Sequence, residues 1–96
     1  MTNFYVTYKL KDRETRDAFY QALCASGAAE KSRAEDGCIR YAYFYPAEQE
    51  SHLFLWEQWE NRTAQKAHTA QPHFLEIGKL KEDYGAETEV SVEDAV

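Results

Sequence analysis

Apolar positions in this chain change period several times, and each change marks an element boundary. In residues 3–10, NFYVTYKL, Phe4, Val6, Tyr8 and Leu10 fall on one side of an extended backbone, since successive strand side chains point to opposite faces. That alternation predicts a strand. Asp12 follows as an N-cap. Ala18, Phe19, Ala22 and Leu23 then recur at helical spacing, so a helix with one inward stripe is predicted over residues 13–35. Gly27 weakens the second half of that helix by about 1 kcal/mol relative to Ala. Asp36-Gly37 supplies a stop suited to a left-handed cap.

Residues 38–45, CIRYAYFY, are rich in aromatic and β-branched side chains and end at Pro46, which predicts a second strand. The polar turn AEQES leads into residues 52–60, HLFLWEQWE, a third strand paired with the second as an antiparallel hairpin. Asn61 or Thr63 caps a short helix, TAQKAHTA. Pro72 sits in the first turn of another, PHFLEIGKLKEDYG, where a missing N–H costs no helical bond. Phe74, Ile77, Leu80 and Tyr84 form its buried side, and Gly85 ends it. A last strand, ETEVSV, carries Thr88, Val90 and Val92 on one face, and EDAV closes the chain as a solvated tail. This order predicts an α+β fold of ferredoxin-like βαββαβ type, with helices on one face of a four-stranded antiparallel sheet. Ninety-six residues make a single domain, 1–96, with its core over about 3–93.

The third strand departs from the usual one-sided pattern. Leu53, Leu55, Glu57 and Trp59 fall on one face and Phe54, Trp56 and Gln58 on the other, whereas a small antiparallel sheet normally wets one face. Large aromatics bury on the order of 150–250 Å² each, so two or three exceed the few hundred Å² that a monomer tolerates as a patch. The simplest cover is a second copy, sheet against sheet, in a two-fold homodimer. On the inner face, Glu57 lies between Leu55 and Trp59, where a carboxylate must pair, hydrogen-bond or accept a raised pKa. Three readings stay open for it: a buried structural hydrogen-bonder, a tuned acid–base group, and an exposed carboxylate at the strand end.

Composition narrows the function classes. The net charge of -6 opposes binding to nucleic acid phosphates, which needs clustered Lys and Arg. No apolar run reaches the roughly 20 residues of a membrane span, and MTNFYVTYKLKD lacks the apolar stretch of a signal peptide, so a cytoplasmic location is expected. Cys24 and Cys38 read as two reduced thiols. His52 opens a strand and is expected in solvent. His68 is the obvious proton acceptor, since an unperturbed imidazole titrates at about pH 6.5, or else a hydrogen-bonded helix residue near the chain turn. His73, beside Pro72, reads as structural. The five-residue spacing of His68 and His73, with Pro72 between them, argues against a metal site. No phosphate loop, nucleophile elbow or paired-Cys motif is present.

Three stretches, AEDGCIRYAYFY, LFLWEQWEN and AQKAHTAQPHF, together resemble the antibiotic biosynthesis monooxygenase (ABM) family. The matching positions are Gly37, Cys38 and Tyr41; Glu57 and Trp59; His68; and Pro72, His73 and Phe74, and the similarity runs from about residue 3 to 93. The resemblance implies a dimeric α+β barrel. The family includes cofactor-free oxygenases of quinols and anthrones, haem-degrading enzymes and isomerases of an autoinducer phosphate. Haem-degrading members are similar in pairing a third-strand Trp with a first-strand Asn and a His in the last helix. Here Trp59 matches, but the other two positions hold Val6 and Gly78, so haem degradation is not expected. Polyketide-tailoring members place an Asn four residues before the Trp, where this chain has Leu55.

The resemblance thus implies a cofactor-independent monooxygenase, with no cofactor and no metal, acting on a small aromatic, quinol-like compound and O2. His68, Glu57 and Trp59 would carry the chemistry, and Tyr41, Val6, Phe74 and His73 would bind the substrate. Two alternatives stand beside it. One is a non-catalytic dimer that binds a small apolar molecule. The other is an isomerase of a small phosphorylated ketone, for which Arg40 or Lys66 would have to meet the anion.

Overall fold

Two glycines decide where the first helical segment ends. In the computed structural model, which describes residues 1–95, the helix expected over 13–35 is two helices, α1 (Arg13–Ser26) and α2 (Ala28–Arg33). Gly27 between them has a φ of 72°, a left-handed conformation that a β-carbon disfavours, so it caps α1 and redirects the chain. Asp12 caps the other end of α1, accepting a hydrogen bond from the Thr15 N–H at 2.7 Å. The inward stripe also differs from expectation. Phe19 and Leu23 are buried, but Ala18 is exposed, and Arg16 is buried instead. The Arg16 guanidinium lies 3.7 Å from the centre of the Tyr45 ring and reaches Asp17 at 2.9 Å, so its stem is buried while its charge stays paired.

The four strands are β1 (Thr2–Lys9), β2 (Cys38–Phe44), β3 (His52–Trp59) and β4 (Glu87–Asp94), and the later helices are α3 (Arg62–His68) and α4 (Pro72–Tyr84). All neighbouring strands run antiparallel in the order β2-β3-β1-β4. This is the ferredoxin-like α+β arrangement, with α2 and α3 as short additions. On the face covered by the helices, Val6, Tyr8, Leu10, Tyr41, Leu53, Leu55 and Trp59 pack with Phe19, Leu23, Ala28 and Ile77 into one core.

Gly37 makes the second decision. Its φ is 83°, and a β-carbon there would stand 2.6 Å from Ala64 Cβ. Glycine therefore lets the turn before β2 lie directly against α3. That close approach brings Glu35 over the α3–α4 junction.

The C-terminus is not the solvated tail expected for EDAV. Glu93 and Asp94 belong to β4, paired with Asn3 and Thr2. Asp94 accepts a hydrogen bond from Thr2 Oγ1 at 2.9 Å and three from the Arg62 guanidinium at 3.2, 3.1 and 2.8 Å. Ala95 N–H then donates to the Met1 carbonyl at 2.8 Å, and Val96 lies outside the described residues. Thr88, Val90 and Val92 do share a face, opposite Tyr8, Val6 and Phe4. Every residue of β4 is nevertheless exposed, so the helical layer does not cover this edge. Among the described residues, no helix is long and apolar enough to cross a membrane.

Candidate functional site

The site grows out of the inner row of β3. Glu57 and Trp59 are two residues apart and so share a face, and register sets Tyr41 of β2 opposite Glu57. The Trp59 indole N–H donates to Glu57 Oε1 at 3.1 Å. Glu57 is only 7% exposed and Trp59 and Tyr41 no more than 2%. Burial disfavours the ionised carboxylate and pushes the Glu57 pKa up to about 7; the Trp59 hydrogen bond opposes the shift and the charge of Glu35 adds to it. Burial likewise drives the Tyr8, Tyr41 and Tyr43 phenols far above their ordinary range, so all three are neutral at physiological pH.

Two short helices bring imidazoles to this row. Asn61 caps α3 by accepting from the Ala64 N–H at 2.9 Å, which fixes where the helix starts. Its last residue, His68, is fully buried, with ring centres 5.0 Å from Trp59, 5.8 Å from Tyr41 and 5.2 Å from Phe74. Pro72 starts α4 at its first turn as predicted and carries His73 with it. His68 Nδ1 lies 2.5 Å from Glu35 Oε2, and His73 Nε2 lies 2.7 Å from the same oxygen. His68 Nε2 faces Glu57 Oε1 at 4.0 Å.

This arrangement sets the proton positions. An ionised carboxylate only accepts, so both imidazole nitrogens facing Glu35 donate to it. His68 then carries its hydrogen on Nδ1 and holds a free lone pair on Nε2, aimed at Glu57. Burial lowers the His68 pKa, and the hydrogen bond and charge of Glu35 oppose the change. The neutral imidazole is therefore the favoured form, flanked by a carboxylate that orients it and a carboxyl group poised near neutrality.

The structure gathers most of the residues singled out from sequence. His68, Glu57, Trp59, Tyr41, His73 and Phe74 lie in one cluster on the covered face. Val6 shares that face but sits opposite Leu55, beside the Phe4–Glu57 pair, and so stands one pair away from the carboxylate. His52 is half-buried rather than free in solvent. Glu35 was not among the candidates, although AEDGC was; its signal is a carboxylate two residues before a glycine that must let the backbone turn inward. The spacing argument that kept His68 and His73 apart is corrected. Five-residue spacing with Pro72 in between does not part the rings: they leave the end of α3 and the start of α4 and converge on Glu35, so Glu35, His68 and His73 are a donor set able to hold a metal ion. Leu55 and Val6 are buried apolar residues and Gly78 is exposed on α4, so none of these three positions offers a polar side chain.

Two surface hollows border the cluster. One of about 320 Å³ is lined by Ala34, Glu35, Asp36, Ala64, Ala67 and Gln71. The other, about 350 Å³, is lined by Tyr20, Tyr43, Phe44 and Tyr45. Tyr43 connects it to the interior: its ring meets Tyr41 edge-on at 5.8 Å, and its hydroxyl is buried with no hydrogen-bond partner. Arg40 stands on the opposite face of the sheet, its guanidinium 4.5 Å from the Trp56 ring centre, and Lys66 is exposed on α3. Neither cation is placed to meet an anion beside Glu57.

Comparison with known proteins agrees with this fold. The family model described as antibiotic biosynthesis monooxygenase matches residues 5–80. A solved structure of a proposed antibiotic biosynthesis monooxygenase from Deinococcus radiodurans is similar over 100% of this chain and 93% of its own, with 23% identity and a TM-score of 0.87. SnoaB, a cofactor-independent oxygenase from Streptomyces nogalater, is similar over 99% of this chain and 92% of its own, at 14% identity and a TM-score of 0.74. At these identities the likeness concerns the fold. An uncharacterised protein of Synechocystis is 33% identical over 54 residues, 56% of this chain; the match spans 37% of that longer relative.

Proposed function

The chain belongs to the antibiotic biosynthesis monooxygenase family, and from that premise we propose that it is a homodimeric, single-domain, cofactor-independent monooxygenase of a small aromatic, quinol-like compound. The observation that carries this reading is the buried Glu57–Trp59–His68 constellation, in which a neutral imidazole keeps a free nitrogen inside a water-poor, aromatic-lined layer. A phenol, hydroquinone or anthrone needs little else. His68 Nε2 takes the acidic proton, the electron-rich anion gives its electrons to O2, and protein dipoles such as the Trp59 N–H steady the developing charge. In an anthrone, CH2 becomes C=O and the second oxygen atom leaves as water, so the four electrons balance without an outside reductant. Tyr41 and Phe74 supply apolar walls for a flat ring, and His73 holds Glu35. The aromatic hollow at Tyr20, Tyr43 and Tyr45 is the entrance that the ring chemistry suits.

The dimer part of the proposal rests on the other surfaces. Phe44 is 44% exposed and lies against Phe54, and Tyr5 and Phe54 stack on the uncovered side of the sheet. A second copy laid on this face would bury them.

The test is oxygen uptake with a panel of hydroquinones and anthrones, comparing the wild type with His68→Gln and Trp59→Phe. Turnover of at least one class, cut by about 100-fold or more in His68→Gln as expected for a lost general base, supports the reading. No uptake with any class, or uptake indifferent to both substitutions, overturns it. A second reading, a non-catalytic dimer that holds a small apolar molecule, is favoured by the packing of Trp59 and His68, which are at most 1% exposed. Saturable binding of an anthrone without oxygen uptake would select it.

A further inference from the structure

Three different elements of the chain aim one donor atom each at a single point. Glu35 comes from the turn before β2, His68 from the last residue of α3, and His73 from the first turn of α4. These atoms all lie within 4.8 Å of one another, and the three residues are buried or half-buried. We infer that Glu35, His68 and His73 form a binding site for one divalent transition-metal ion of the zinc class.

Bonds of about 2.0–2.2 Å from such an ion to nitrogen and oxygen put tetrahedral donors about 3.3–3.5 Å apart. The Glu35 oxygen now stands at 2.5 and 2.7 Å from the two imidazole nitrogens, so it needs to retreat by under about 1 Å. The hollow of about 320 Å³ beside Glu35 gives room for that rotation, a path from solvent, and a place for water as the fourth ligand. The far side of His68 fits as well. A metal-bound imidazole hands its other N–H to a carboxylate, and His68 Nε2 already faces Glu57 at 4.0 Å. Binding moves the His68 hydrogen from Nδ1 to Nε2, where it stays on the imidazole and faces Glu57.

The donor set also selects the ion. Two imidazoles and one carboxylate suit Zn2+, Co2+ or Ni2+, whereas Mg2+ and Ca2+ prefer oxygen donors alone. The net charge of -6 draws cations to the surface. Once bound, the ion ties the turn before β2 to the α3–α4 junction. It also competes with proton transfer, because an Nε2 that carries hydrogen cannot accept one. The site itself stands whether or not a substrate is turned over, so its test reads binding alone.

Full-length protein stripped with a chelator is titrated with Zn2+ by calorimetry, and separately with Co2+ while the visible d–d bands are recorded. The expected result is one Zn2+ per chain, intense Co2+ bands of a four-coordinate site, and no heat with Mg2+ at the same concentration. His73→Ala and Glu35→Ala weaken Zn2+ binding by at least about 100-fold and Glu57→Gln by about tenfold, while His52→Ala binds as the wild type does. His73→Gln and Glu35→Gln replace either alanine variant that melts early by circular dichroism. Less than half an ion per chain, a Co2+ spectrum matching the aqueous ion, or undiminished Zn2+ binding in the His73 and Glu35 variants would overturn the site.

Discussion

On the inner face of β3, Leu53, Leu55, Glu57 and Trp59 are at most 7% exposed, while on the outer face His52, Phe54, Trp56 and Gln58 are all half-buried. One strand therefore carries two tryptophans, three residues apart, in different physical settings. The inner face is covered by its own chain, and two of its polar groups turn to internal partners: Trp59 to Glu57, and His68 to Glu35. The outer face is organised by polar tips around aromatic bodies. The Trp56 indole and the Gln58 amide both donate to Asn3 Oδ1, at 2.9 and 3.0 Å, and Arg40 covers the Trp56 ring. In the proposed function, chemistry that needs dryness belongs to the first face and association to the second.

The sharpest way to break this contrast is to delete each indole. Trp59→Ala removes a fully buried ring and leaves Glu57 without its donor, and we expect a loss of about 3–5 kcal/mol in urea unfolding. Trp56→Ala should cost less than half as much in the isolated chain, because water already reaches its site. Equal losses would show that the two faces are equally sealed.

The next effect concerns charge. A carboxyl whose pKa rises on folding, from the usual carboxylate range to about 7, binds more protons folded than unfolded between those values, so its contribution to stability falls as pH rises through that window. Glu57→Gln keeps an acceptor for the Trp59 N–H and removes the titration. With a chelator present, the variant should gain on the wild type between about pH 4.5 and 7, reaching roughly 2–4 kcal/mol by pH 8. Taking the difference between the two proteins cancels His68, whose lowered pKa acts in the opposite direction. A constant difference across that range would mean that Glu57 is solvated.

Sequence pattern alone located the strands and their inner rows because alternation is a local signal that burial obeys residue by residue. The fine structure of the site was hidden for nameable reasons. A helix-propensity cost of about 1 kcal/mol at Gly27 cannot announce that the glycine adopts a positive φ. Glu35 looks like a solvated acid at a helix end; its partners are 33 and 38 residues away, and only the close approach at Gly37 brings them near. His68 and His73 looked badly spaced because, although two helices were expected around Pro72, the angle at which α3 and α4 meet is set by tertiary packing and not by spacing along the chain. Glu93 and Asp94 read as tail because the groups that hold them in β4, Asn3, Tyr5, Thr2 and Arg62, lie at the other end of the chain or on another element.

The smallest effect tests what finally covers the outer face. Asn3 is only 4% exposed and accepts from both Trp56 and Gln58, so Asn3→Ala frees two donors at once. Where water can reach those donors, it replaces the lost acceptor and the cost is about 0.5–1.5 kcal/mol, independent of protein concentration. A second copy over this face changes that result, since the indole N–H is then shut away from water without a partner. The loss must also appear in the dimer equilibrium. We therefore expect the melting temperature of Asn3→Ala to fall further below wild type in concentrated than in dilute solution, because the wild type gains from association and the variant gains less. Parallel melting curves at every concentration would place Trp56 at an ordinary wet surface and remove the argument for sheet-to-sheet pairing.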